Sequence, residues 1–190
     1  MTIYCTLKGA LATAAVGFYA GAPAHAVVTA AFHNGTNCQG KSSATFQAGG
    51  PPITVTLCAS ATEEAICGHS IQLEAGSAAA SGQFEIIKHT VGELYSDPTL
   101  EKLPKGVTIT VPPSPHDFGG TRDKPQPPAK NQVFASFTLR PSAMAKDARY
   151  LIKLGKNSLV SVGKNGSCLE NAEVPMSAEI ALERKSLNDR

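Results

Sequence analysis

Apolar and polar residues alternate in short runs along most of this chain, with Gly, Pro, Asn and Ser between the runs. A period of two places successive side chains on opposite faces of a strand, so runs of this kind build half-buried sheets. In residues 53–57 (ITVTL) three apolar side chains alternate with threonines. In residues 66–75 (ICGHSIQLEA) Ile71 and Leu73 alternate with Gln72 and Glu74. Further runs are QFEIIKHTV (83–91), GVTITV (106–111), QVFASFTLR (132–140), RYLIKL (149–154), SLVSV (158–162) and SAEIALE (177–183). VVTAAFH (27–33) and a short run at 43–47 precede them, for eight to ten strands. Turn residues at this spacing predict an all-β fold, a single β-sandwich that is jelly-roll or immunoglobulin-like. No segment joins a helical period to a cap and sufficient length, and residues 142–148 (SAMAKDA) predict one turn at most.

The N-terminus sets the compartment. Lys8, an apolar run over residues 9–19 and the triplet Ala24, His25, Ala26 form the pattern of a secretory leader, cleaved after Ala26. The apolar run is too short for a membrane helix, and no later run approaches the roughly 20 residues that a span requires. The expected product is secreted or periplasmic, with a sandwich domain over residues 27–183 and a charged tail over 184–190. Losing Lys8 leaves 16 basic against 15 acidic side chains. With neither a basic stripe nor an aromatic stacking platform, nucleic acid is excluded as a partner. Cys5 leaves with the leader, and the four cysteines that remain (Cys38, Cys58, Cys67, Cys168) predict two disulfides. Three connectivities are possible. The favoured one joins Cys58 to Cys67 across a hairpin and Cys38 to Cys168 across the whole domain. Paired cysteines at zinc spacing are missing, so no metal is expected there.

Residues 111–130 (VPPSPHDFGGTRDKPQPPAK) break the strand rhythm and hold six of the chain's 13 prolines. Proline lacks the donor that a central strand needs, so a long surface loop is expected here. Loops of that length are often functional. Within it, His116, Asp117, Phe118, Arg122 and Asp123 are the candidate binding residues. Phe118 with Arg122 offers a small recognition surface, and His116, Asp117 and Asp123 offer an imidazole and two carboxylates to a cation; an extended, solvated loop is the competing reading. The catalytic chemistries lack their parts. The four histidines of the processed chain are His33, His69, His89 and His116. His69 and Ser70 are neighbours on one run and so point to opposite faces, which rules out a dyad. Glu63 and Glu64 are adjacent in a connection rather than opposed across a cleft. Asn34-Gly35-Thr36 and Asn165-Gly166-Ser167 match a glycosylation acceptor and equally a two-residue turn, and are read as turns.

Residues 53–91, from ITVTL through HSIQLEAGSAAASG to QFEIIKHTVGE, resemble the early strands of cohesin-like domains. QVFASFTLRPSAMAKDARYLIKLGKNSLVSVGKNGS resembles their closing half. The likeness covers about half of the processed chain and lies in hydrophobic spacing. Cohesin-like domains belong to a broad sandwich class that includes carbohydrate-binding modules. The chain departs from them at Ala75-Gly76-Ser77, where they usually carry Asp-Pro, and in its cysteines and proline-rich insertion. The resemblance implies a nine-stranded jelly-roll-like sandwich whose role is non-enzymatic binding, and it carries over no binding residue one by one. Together these features point to an exported binding or structural module without cofactor that contacts a protein through a sheet face or loops. A glycan partner is the weaker option, because the chain has no tryptophan and only Tyr95 and Tyr150 follow the leader. The alternatives are a pilus or coat subunit that exchanges the strand VVTAAF, and a small secreted hydrolase.

Overall fold

The computed structural model describes residues 28–61, 65–92, 107–112, 117–126, 129–164 and 167–185. The leader, Glu63, Glu64, His116 and residues 186–190 of the tail lie outside them. Twelve strands are present: β1 (Val28–Asn34), β2 (Ser43–Phe46), β3 (Ile53–Ala61), β4 (Ala65–Ile71), β5 (Leu73–Ala75), β6 (Phe84–Val91), β7 (Phe118–Gln126), β8 (Ala129–Pro141), β9 (Arg149–Leu154), β10 (Leu159–Lys164), β11 (Ser167–Pro175) and β12 (Glu179–Arg184). Among the described residues, the one helical element is a 3₁₀ turn at Ala78–Ala80.

One layer of the sandwich is the antiparallel sheet β1-β3-β8-β6. The other is built from two sheets, β2-β12-β9-β5 and β11-β10-β4-β7, that meet end to end. Leu73 of β5 faces Leu154 of β9, and Ser70 of β4 faces Leu159 of β10. Three strand lines therefore run through both sheets: β4 into β5, β9 into β10 and β11 into β12. The lines break at Gln72, at residues 155–158 and at residues 176–178, but the break is stitched together. Gly155 N donates to Gln72 O (2.8 Å), Gln72 N to Ser158 Oγ (3.0 Å) and Met176 N to Ser158 O (2.9 Å). Ser158 is fully buried, so its hydroxyl replaces the ladder partner that Gln72 would otherwise lack. Merging the three broken lines leaves nine strands in two layers among the described residues.

Phenylalanines hold the layers together. Phe84 of the first layer packs edge-on against Phe46 (5.2 Å) and Tyr150 (5.5 Å) of the second. Towards the other end, Phe134 and Phe137 of β8 are fully buried against β4 and β7. Residues 107–111 of the run at 106–111 form no ladder of their own. Ile86 N donates to Val107 O and Ile109 N to Phe84 O, while Ala75 N donates to Thr110 O. The segment thus clips the edge of β6 to the edge of β5 and seals that side of the sandwich with Val107 and Ile109, both buried.

Several expectations need correction. Residues 118–126 are strand β7, paired with β4, where a loop was expected. β7 lies at the edge of its sheet, which is where Pro125 is tolerated because no second neighbour needs its missing N–H. Gly119 serves packing: a Cβ on it would lie 2.8 Å from His69 O. The disulfides join Cys38 to Cys58 and Cys67 to Cys168. The favoured alternative failed because β3 and β4 are not a hairpin. β3 pairs with β1 and β8 in one layer and β4 with β10 and β7 in the other, so Cys58 and Cys67 belong to different layers. The expected first strand is present as β1, whose seven residues Val28–Asn34 pair in register with β3. Asn34-Gly35 is not a two-residue turn: Asn34 ends β1 opposite Val55, and Gly35, at φ 96°, opens the longer loop to β2; Asn165-Gly166 lies outside the described residues. β12 extends one residue into the expected tail, and Lys185 N donates to Phe46 O.

Candidate interaction surface

The proline-rich stretch divides its candidate residues between surface and core. Asp117 is exposed, and its Oδ1 accepts a hydrogen bond from Gln72 Nε2 at 2.7 Å. Phe118, one position on, points inward and is 3% exposed, packed on His89 (5.1 Å) and Phe137 (5.2 Å). It belongs to the core and adds nothing to a surface. Arg122 and Asp123 lie on β7, within the part of the ladder where the register shifts between Ile66 and Gly68 of β4. Their side chains, like all of His116, are outside the described residues, so Asp117 is the one expected site residue placed at the surface.

Two histidines sit between the layers. His69 of β4 is buried and stacks on Phe134 of β8, with ring centres 5.3 Å apart and planes 17° apart. His89 of β6 stacks on Phe137 at 5.1 Å. Loss of hydration, and after it the charge that His89 would carry, lower the pKa of His69 to about 3. Burial alone lowers His89 to about 4. Both are neutral at pH 7 and serve as flat aromatic filling. His33 instead faces the surface loop at residues 35–41, where its Nδ1 donates to Gly40 O at 2.8 Å.

The outer face of β1-β3-β8-β6 spans four hydrogen-bonded strands. Inward positions carry Val55, Leu57, Ala135, Phe137 and Leu139, all fully buried, so the alternate positions face outward. Register places His33, Thr56, Ser136 and Thr90 in one row across all four strands. Thr54, Thr138 and Lys88 form the next row. Thr56 donates to Gly35 O (2.6 Å), shares a hydrogen bond with Ser136 (2.8 Å) and is covered by the loop at 35–41. The Cys38–Cys58 disulfide pins that loop to β3. Thr54, Ser136 and Thr138 are half-buried and Thr90 and Lys88 exposed. Arg140 and Glu85 close the border with an ion pair of 3.0 Å. Short hydroxyl side chains both donate and accept, and they lose little rotamer freedom on contact. Sequence reasoning passed over this face. Its signal is the use of Thr and Ser, rather than Lys and Glu, at the polar positions of ITVTL and SFTL.

On the second layer a depression of about 290 Å³ lies beside the Cys67–Cys168 bridge, lined by Gly68, His69, Ser70, Leu159, Ser161 and Glu173. The His69 ring turns inward onto Phe134, away from Ser70, its neighbour on the same strand.

No protein-family model matches the sequence, and no characterised protein matches it significantly. Solved structures do share its architecture. A type I cohesin–dockerin complex from Clostridium thermocellum aligns at TM-score 0.51 and 15% identity, over 84% of this chain and 95% of that one. The third ScaB cohesin of R. flavefaciens, in complex with a group 1 dockerin, aligns at TM-score 0.52 and 15% identity, over 84% and 97%. The seventh ScaB type I cohesin of Pseudobacteroides cellulosolvens aligns at TM-score 0.50 and 12% identity, over 85% and 97%. The chain therefore has a cohesin-like β-sandwich fold.

Proposed function

We propose that this protein is an exported, non-enzymatic module that binds another protein through the outer face of β1-β3-β8-β6. The observation that carries the reading is the part of that face left open beside the loop at 35–41: half-buried Thr54, Ser136 and Thr138 with exposed Thr90, bordered by Lys88 and the Arg140–Glu85 ion pair. Its fold agrees, since two of the cohesins that share it were solved in complex with dockerins. The two disulfides and the leader-like N-terminus support export. Protein is favoured over glycan because Tyr150 is buried in the core rather than displayed.

The test is capture from an extract of the source's own envelope and medium, with the oxidised, processed chain as bait and mass spectrometry as readout. The expected result is a discrete partner that Thr138→Glu releases, since the longer carboxylate side chain stands proud of the half-buried hydroxyl that it replaces and blocks close approach to the face. Capture that survives Thr138→Glu but is lost on Asp117→Arg would move the interface to β7, and recovery of the bait alone would refute binding of another protein.

A further inference from the structure

We infer that the open edge of β1 pairs with the same edge of a second copy of this chain, giving a two-fold dimer in which the two four-stranded sheets join into one. Backbone direction fixes which groups that edge offers. Gly35 N donates to Thr54 O on β3 (2.9 Å), whereas Asn34 N points the other way, to Lys41 O (2.8 Å). Alternation along the strand therefore turns the N–H and C=O of Thr29, Ala31 and His33 toward β3 and those of Val28, Ala30 and Phe32 away from it. The returning loop caps the edge at Asn34. Short of that cap, the outward backbone groups of Val28, Ala30 and Phe32 have no hydrogen-bond partner among the described residues.

The other edges are guarded. Residues 107–111 clip β5 and β6, β7 carries Pro125, β11 carries the exposed Glu173 and ends in Pro175, and β2 is four residues long. β1, with the sequence VTAAFHN, has no lysine, carboxylate, proline or glycine, and its ladder on β3 runs seven residues without a register shift. A regular, uncharged edge is a template for another strand. The occupant follows from the spacing. Val28, Ala30 and Phe32 are symmetric about Ala30, so an antiparallel copy brings Ala30 opposite Ala30 and Val28 opposite Phe32. Every outward group then finds a partner, about six hydrogen bonds in all. Between these pairs Thr29 meets Ala31 of the copy, and both side chains are exposed and small, as the close approach of a non-hydrogen-bonded pair requires. Val28 and Ala30 lie on the inward side with Phe32 yet are half-buried, and the second strand covers them. With cleavage after Ala26, one residue precedes Val28, so the copy's strand starts short of the cap at Asn34. A contact of this isologous kind closes on itself and stops at two copies.

The experiment is sedimentation velocity of the purified, processed, oxidised chain from about 10 μM to about 1 mM, because an edge-to-edge contact of this size belongs with weak, transient interfaces. Backbone amide hydrogen exchange is followed residue by residue at both ends of that range. The expected result is a monomer–dimer equilibrium in which the amides of Ala30 and Phe32 become protected as the dimer fills, while those of Ala31 and His33, bonded to β3, are protected throughout. Ala30→Pro removes an outward donor that β3 does not use and lowers the association constant about tenfold or more. Thr29→Lys combined with Ala31→Lys, both at exposed positions, sets like charges directly opposite each other and leaves the chain monomeric. This second variant carries the test if Ala30→Pro does not fold. The inference is overturned if the wild type stays monomeric at about 1 mM. It is equally overturned if a dimer forms without the alternating protection, or survives in the lysine variant, since either result places the contact elsewhere. The measurement uses this protein alone, so its outcome is separate from that of the partner capture.

Discussion

Acid should loosen this sandwich from within, through the two histidines between its layers. His69 and His89 are neutral in the folded protein, with pKa values lowered to about 3 and about 4 from an ordinary 6.5. Once unfolded, both take up a proton as the pH drops below about 6.5, so the unfolded state binds more protons than the folded one. Their contribution to stability is therefore fully present above pH 6.5 and is lost as the pH falls toward the folded-state values. Each pH unit in that window removes about 1.4 kcal/mol per histidine. Between pH 6.5 and 4.5 the pair loses on the order of 4 to 5 kcal/mol, a large share of the 5 to 15 kcal/mol typical of a domain. The assay is urea unfolding at pH 7.0 and pH 4.5, followed by far-ultraviolet circular dichroism. Carboxylates titrate over the same range, so the matched control is His69→Phe with His89→Phe, which keeps flat rings against Phe134 and Phe137 and removes the titration. The wild type should lose several kcal/mol more than this variant over the same pH step. Equal losses in the two proteins would refute the assignment of buried, neutral histidines.

Other consequences can be read as directly. Peptide mapping without reduction should recover Cys38 joined to Cys58 and Cys67 joined to Cys168; a Cys58–Cys67 peptide would contradict the layer assignment. Removing Cys67–Cys168, with its sequence separation of 101, should destabilise by up to about 5 kcal/mol, against about 3 kcal/mol for Cys38–Cys58 with its separation of 20. Paired Cys→Ser variants in chemical denaturation check the order. Phe84→Ala removes the ring that meets Phe46 and Tyr150 and should cost about 3 to 5 kcal/mol, visible as a lower denaturation midpoint. Gly119→Ala forces a methyl against His69 O and should speed amide exchange along β7 before global unfolding; exchange that remains slow would show that β7 can move aside.

What the sequence discloses follows from how local each feature is. ITVTL is legible as β3 because alternation is a property of neighbours. ICGHSIQLEA reads as one strand, whereas the chain divides it at Gln72 because Ser158, 86 residues away, supplies the hydrogen bonds there. β7 is hidden by its composition. Its glycines and Pro125 look like loop chemistry until the edge position and the close approach of β4 are known. The disulfide pairing depends on which layer each strand joins, and spacing alone does not encode that. Asp117 and Phe118 are adjacent, yet one reaches solvent and the other the core, the ordinary outcome for successive residues of a strand; reading the stretch as a loop concealed it. The hydroxyl face is visible only once register aligns Thr56, Ser136 and Thr90 across separate strands.

The central claim is that the outer face of β1-β3-β8-β6 meets a protein partner. Lysine cross-linking of the captured complex, read by mass spectrometry, tests it most directly. Lys88 is exposed on that face and Lys156 is exposed at the break in the opposite layer. The account predicts cross-links from Lys88 to the partner and none from Lys156. Cross-links from Lys156 with Lys88 left unmodified by the partner would place the interface on the other side of the sandwich and contradict it.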